Sequence, residues 1–160
     1  MKKGIFVKGF AVVLAASMLT GCGALSAEDY KDAMEDAMDE YEGAVDELSE
    51  MMYGDEDDFD KGEAKKVVEE AKDALKSIKS LSAPKEIKDD HKELCEGLDV
   101  LVEVTDLMYD AALAYVEEDD DKLEEIQEKV SDLQKDVDDI DKILSNIEEE
   151  LDELIEEEDD

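Results

Sequence analysis

Ten apolar residues recur with a strict alternation of three and four: Leu123, Ile126, Val130, Leu133, Val137, Ile140, Leu144, Ile147, Leu151 and Leu154. A mean spacing of about 3.5 residues sets all ten on one stripe of an α-helix, and a strand would scatter them over both faces. Most of the intervening residues are charged. A stripe that is apolar on one side only must be covered by another helix, so this segment is one member of a bundle or coiled coil.

The rest of the chain supplies the partners. Tyr30, Met34, Ala37, Tyr41, Ala44, Leu48 and Met51 repeat the pattern, with Met38, Val45 and Met52 widening it and Gly43 a weak point. Ala64, Val67, Ala71, Ala74, Ile78 and Leu81 form a stripe of small residues that lets a neighbour approach closely. A third stripe holds Ile87, His91, Leu94, Leu98, Leu101, Thr105, Met108, Ala112 and Tyr115. The breaks are acidic runs around Gly54–Phe59 and Glu117–Asp121, and Ser82-Ala83-Pro84, with Pro84 expected in the first turn of the third helix. Asp60 with Glu63, and Asp121 with Glu124, are the expected caps of helices two and four. The expected fold is therefore all-α, an antiparallel up-down-up-down four-helix bundle with helices at about 27–53, 61–81, 84–116 and 121–157. Short connections favour hairpins folding on themselves over a long coiled-coil dimer, and no internal repeat is present.

The N-terminus is of another kind. Lys2, Lys3 and Lys8 make a basic start, and Ala11 to Leu19 complete an apolar run that begins at Ile5, the charge order of an export signal. It ends in Leu19-Thr20-Gly21-Cys22, which resembles the lipobox of bacterial lipoproteins. That resemblance implies cleavage before Cys22 and a diacylglyceryl group on its thiol, holding the chain to the outer face of the cell membrane. Two acyl chains anchor stably where one binds reversibly. The expected organisation is a signal peptide at 1–21, a lipidated N-terminus and short linker at 22–28, and the bundle with its acidic C-terminal end at 29–160. The length and the turn Leu81-Ser82-Ala83-Pro84-Lys85-Glu86-Ile87-Lys88 also resemble small lipoproteins of Gram-positive bacteria, a resemblance that implies no activity.

Charge narrows the partners. The formal net charge is −35, and it becomes three units more negative once Lys2, Lys3 and Lys8 are removed with the signal. Such a body repels phosphate backbones, which excludes nucleic acid, and keeps its own copies apart. It favours a basic protein or peptide, and weak, diffuse binding of divalent cations on the solvated acidic surface.

Catalytic and metal-binding patterns fail on inspection. His91 is the only histidine, and the residue three before it is Lys88, so a ferritin-like Glu-x-x-His is absent. His91 and Cys95 share a helix face, but no third or fourth ligand accompanies them, and Cys95 is expected in the core. Read from Asp57, Gly62 falls at the sixth position of a calcium loop, yet Phe59, Lys61 and Val68 occupy ligand positions. No metal, cofactor or enzymatic reaction is expected.

What survives is a cluster at one end. Tyr30 leads out of the linker, so the turns between helices one and two and between three and four point away from the anchor. Helices three and four are the longer pair and are expected to reach past the first pair there. Tyr53, Phe59, Tyr109 and Tyr115, with Met51, Met52 and Met108, collect at that end between acidic loops. Aromatic and Met side chains inside a charged rim make a binding patch, or a plug for the open end of the bundle. The expected function is a membrane-anchored extracytoplasmic lipoprotein, a non-enzymatic helical module binding a protein, peptide or envelope component. The alternative is a cation or small-ligand binder serving transport or sensing.

Overall fold

The structure, a computed structural model, describes residues 24–53 and 59–158. It is all-helical: α1 spans Ala27–Tyr53, α2 Lys61–Lys79, α3 Lys88–Val116 and α4 Asp120–Glu158, with no strand among the described residues. Every stripe read from the spacing is turned inward in part. Tyr30, Met34, Leu48, Leu75, Ile78, Leu94, Leu98, Ile147 and Leu151 are among the largest side chains fully removed from water. At about 1.5–3 kcal/mol for each large apolar side chain buried, this packing holds the helices together. Among the described residues no helix is long and apolar enough to cross a membrane. The signal stretch and Cys22 lie outside the described residues, as does the acidic stretch 54–58.

The helix ends follow local chemistry. Ser26 caps α1: its Oγ accepts from the Asp29 amide at 3.1 Å and donates to the Asp29 carboxylate at 2.8 Å. Asp60 caps α2 as expected, accepting from the amides of Gly62 and Glu63. The expectation for Pro84 is corrected. α2 stops at Lys79, and α3 begins only at Lys88, after a turn, with Ile87 as an N-cap that makes no side-chain bond. Pro84 and Ile87 are instead buried within the connection, and the Leu25 amide donates to the Ser82 carbonyl. A packed connection thus continues the wall where α2 has ended.

The expected cap of α4 is corrected too. The amide of Lys122 donates to the Asp119 carboxylate, so Asp119 and not Asp121 is the cap. Glu118, just before it, has φ of 54°, the left-handed region. With Glu118 there, the amide of Asp119 reaches back to the Ala114 carbonyl and that of Glu118 to Tyr115. This is the paired closure that usually employs glycine at the Glu118 position. The chain leaves α3 and re-enters a helix within three residues.

The core has two parts. The larger joins residues of all four helices, including Ile140, Ile147 and Leu151 of α4. The smaller, Leu107, Ala114 and Ile126 with Ala111, Leu123, Val130 and Leu133 against them, belongs to α3 and α4 alone. Within the larger part, Gly97 of α3 lies directly against Ile140: a Cβ there would sit 2.8 Å from Ile140 Cγ1. Ion pairs lace the exterior, Lys61 with Glu117, Lys72 with Asp106 and Lys79 with Asp99 between α2 and α3, and Lys31 with Asp152 between α1 and α4. All have solvent-exposed partners and each contributes at most about 1 kcal/mol.

Candidate binding surface and a buried polar group

The four aromatic candidates do not behave alike. Tyr53 ends α1 with 80% of its surface exposed, and Tyr115 in the last turn of α3 is 46% exposed. Phe59 and Tyr109 are half-buried and packed against the main core, together with Met51 and Met108. So Phe59 and Tyr109 close the end of the core, and Tyr53 and Tyr115 are left to solvent. These two are the only large apolar side chains so exposed among the described residues.

Both lie at or near the ends of their helices. Lys61, the first residue of α2, pairs with Glu117, the residue after α3, so those helix ends are level. Tyr115 is two residues from one partner, and Tyr53 ends α1 eight residues before the other. The level pairing corrects the expectation that the second hairpin reaches past the first there. Ile140 stands against Gly97, and α4 has 39 residues against the 29 of α3. Leu151, buried, and Leu154 and Ile155, half-buried, carry the core into the last turns of α4.

Charge is unevenly shared among the helices that carry these tyrosines. No lysine occurs between Lys31 and Lys61, or between Lys92 and Lys122. The second half of α1 and nearly all of α3 therefore carry carboxylates only, and cations reach α3 from α2 and from Lys122, whose ammonium lies 3.8 Å from Asp110. The Lys61 ammonium beside Glu117 holds that carboxyl below the usual range.

Sequence reading missed one constellation. His91 is buried, and its Nδ1 shares a 2.7 Å hydrogen bond with the hydroxyl of Tyr30, a residue of α1 removed from water altogether. Its Nε2 is 3.4 Å from Cys95 Sγ one turn on, and the Tyr30 and His91 rings meet edge to face at 5.6 Å. The stripes put both rings on inward faces, but their meeting across 61 residues is a product of packing. Cys95 is half-buried where a core position was expected. Burial pushes the Tyr30 hydroxyl far up, with the neighbouring Cys95 adding to it, lowers His91, and raises the Cys95 thiol despite nearby Lys79. All three groups are thus held neutral. A neutral imidazole accepts at one nitrogen and donates at the other, so both contacts are served. A nucleophilic thiolate needs the opposite environment, an imidazolium or other cation that lowers the thiol.

Elsewhere buried polar atoms are paired as well. Thr105 donates to the Leu101 carbonyl and faces Tyr41, whose hydroxyl is pushed up by burial and tempered by that threonine. Among the described residues no buried side-chain polar atom lacks a partner, and no group of three or more His, Cys, Asp or Glu is placed to hold a metal ion. No protein-family model, curated protein or solved structure matches this chain.

Proposed function

We propose that this chain is a lipid-anchored extracytoplasmic lipoprotein, a non-enzymatic helical module that binds a protein, peptide or envelope component through the end carrying Tyr53 and Tyr115. The anchor rests on Leu19-Thr20-Gly21-Cys22 and the apolar run before it. The binding role rests on one observation above others: two exposed tyrosines at an end where α1 and α3 contribute carboxylates and no lysine. Large rigid aromatic area inside a charged field suits recognition of a basic partner, with steering by charge.

The helix order belongs to the same proposal. In an up-down-up-down bundle, residues eleven and seven apart on α2 pair with residues eleven and seven apart, in reverse, on α3. Lys61, Lys72 and Lys79 with Glu117, Asp106 and Asp99 fit that register. The Leu25–Ser82 hydrogen bond fits α1 antiparallel to α2, and Gly97 against Ile140 fits α3 antiparallel to α4. With this order the anchor lies at one end and the tyrosines at the other.

Two measurements test the proposal. Intact-mass analysis of the membrane fraction should find a chain beginning at a diacylated Cys22, and Cys22→Ala should abolish that species. An unmodified Cys22 in the processed protein overturns the anchor. Tyr53→Ser with Tyr115→Ser should leave the melting temperature within about 2 °C, since both are exposed, and abolish capture of envelope partners from detergent extracts. Capture undiminished by the pair refutes the proposed surface.

A further inference from the structure

The apolar rows shared by α1, α3 and α4 are closed near one end of the molecule and open toward the other. On α4, Ile140, Ile147 and Leu151 are buried, whereas Val130, Leu133 and Val137 are only half-buried, and Ile126 beyond them is buried in the smaller cluster with α3. On α3, the heptad row Leu101, Met108, Tyr115 goes from 8% exposed, through half-buried, to 46%. On α1, the row Lys31, Met38, Val45, Met52 starts at the ion pair with Asp152 of α4, so it runs along the side turned to α4; its apolar members are all half-buried. The two core clusters agree with this: Leu123, Ile126, Val130 and Leu133 of α4 belong with α3 in the smaller cluster, and from Val137 on the apolar residues of α4 join the larger cluster that includes α1. A half-covered apolar strip therefore runs about 20 Å, the length of some 14 helical residues, up to the tyrosine-bearing end.

The strip has an acidic border. Three turns on from Lys31, on the same side of α1, stands Glu42; three turns back from Asp152, on the same side of α4, stands Asp141. Both are exposed, and neither belongs to an ion pair among the described residues. A second copy of a chain this acidic is a poor occupant, because the like charges would meet at close range.

Resting on the binding role above, we infer that the strip seats a short cationic amphipathic helix. Its apolar face covers Val45, Met52, Met108, Leu133 and Tyr115, and its lysines or arginines reach Glu42 and Asp141. Occupants of this kind bury residues at i, i+3, i+4 and i+7 in a groove and take their orientation from the rim. A free cationic helix in water is marginal at such a length, so binding would also order it.

The test is anisotropy of a labelled 14-residue Leu/Lys peptide with leucine on one face, titrated with the lipid-free chain. Three comparisons accompany it: a scrambled peptide of the same composition, a Leu/Gln peptide with the same apolar face, and the variant Met52→Gln with Tyr115→Gln. Saturable one-to-one binding is expected, at least tenfold tighter than for either control peptide and at least tenfold weaker in the variant. Circular dichroism of the variant alone should match the parent, which separates lost binding from lost folding. Equal binding of the scrambled peptide would mean diffuse charge attraction and overturn the inference. So would equal affinity in the variant, or no binding. If the peptide fails while capture of an envelope partner still depends on Tyr53 and Tyr115, the occupant is wrong and the binding role stands.

Discussion

Replacing Gly97 by alanine pits two effects of known size against each other. Alanine is favoured over glycine in a helix interior by about 1 kcal/mol, which would stabilise α3. The new methyl, however, would sit 2.8 Å from Ile140 Cγ1 and 3.4 Å from its Cδ1, on a side chain only 2% exposed. Ile140 has packed neighbours and cannot swing away, so either it leaves its rotamer or α3 and α4 separate locally. Overpacking of this kind costs about 1–3 kcal/mol. The net expectation is a loss of roughly 1 kcal/mol, read as a lower urea midpoint with unchanged slope by circular dichroism. Gly43 is the internal control: it is exposed on α1 with nothing within 4 Å of an added Cβ, so Gly43→Ala should gain up to about 1 kcal/mol. Ile140→Ala alone should cost about 2–5 kcal/mol as a core truncation. Combined with Gly97→Ala it should cost less than the sum, because it removes the two atoms that clash and leaves Cβ 4.0 Å away. A coupling of about 0.5 kcal/mol or more is expected. If Gly97→Ala is as stabilising as Gly43→Ala, or if the two changes simply add, the close approach of α3 and α4 at this point is refuted.

Glu118→Gly should stabilise by about 1 kcal/mol, since φ of 54° strains any residue with a Cβ, whereas Glu118→Ala should gain nothing comparable; equal effects would sink the argument. His91 is held neutral by burial, with its pKa below the ordinary 6.5, so the unfolded chain takes up a proton first as pH falls. Its contribution is therefore fully present above about pH 6.5 and is lost below it, and the stability difference between the parent and His91→Gln should narrow as pH drops from 7 to 5. A difference independent of pH would show that His91 protonates freely in the fold. Self-repulsion among the carboxylates should make melting temperature rise with sodium chloride. Calcium and magnesium should act alike at equal ionic strength; stabilisation by micromolar calcium alone would contradict the diffuse binding expected.

Helix number and extent were legible because a one-sided apolar stripe has few ways to be covered. Boundaries were less so, for physical reasons that differ from end to end. In the run Glu117–Asp121 every residue is acidic, and any of several could cap a helix. The choice of Asp119 is made by the left-handed Glu118 before it, a backbone conformation that a glutamate does not announce. Pro84 favours a helix start locally, but burial of Pro84 and Ile87 in the connection delays it to Lys88. The four aromatic candidates divide between core and solvent. Which of them face water depends on how far each helix extends, and the pairing of Lys61 with Glu117 sets that level. The Tyr30–His91 contact joins residues from two stripes, and spacing within each says nothing about registry between them.

The uneven placement of lysine also decides which reagents can report on this molecule. Trypsin has no site between Lys31 and Lys61 or between Lys92 and Lys122, so most of α1 and α3 would survive digestion as two long, acidic peptides. Amine-directed crosslinkers and biotin esters would label α2 and α4 and pass over the row from Met38 to Met52 and that from Leu101 to Tyr115. A chain coupled to a surface through its lysines would still present both rows, whereas carbodiimide coupling through carboxylates would spoil their borders. A contact map drawn from lysine crosslinks alone would therefore leave blank the very region where a partner is expected to sit.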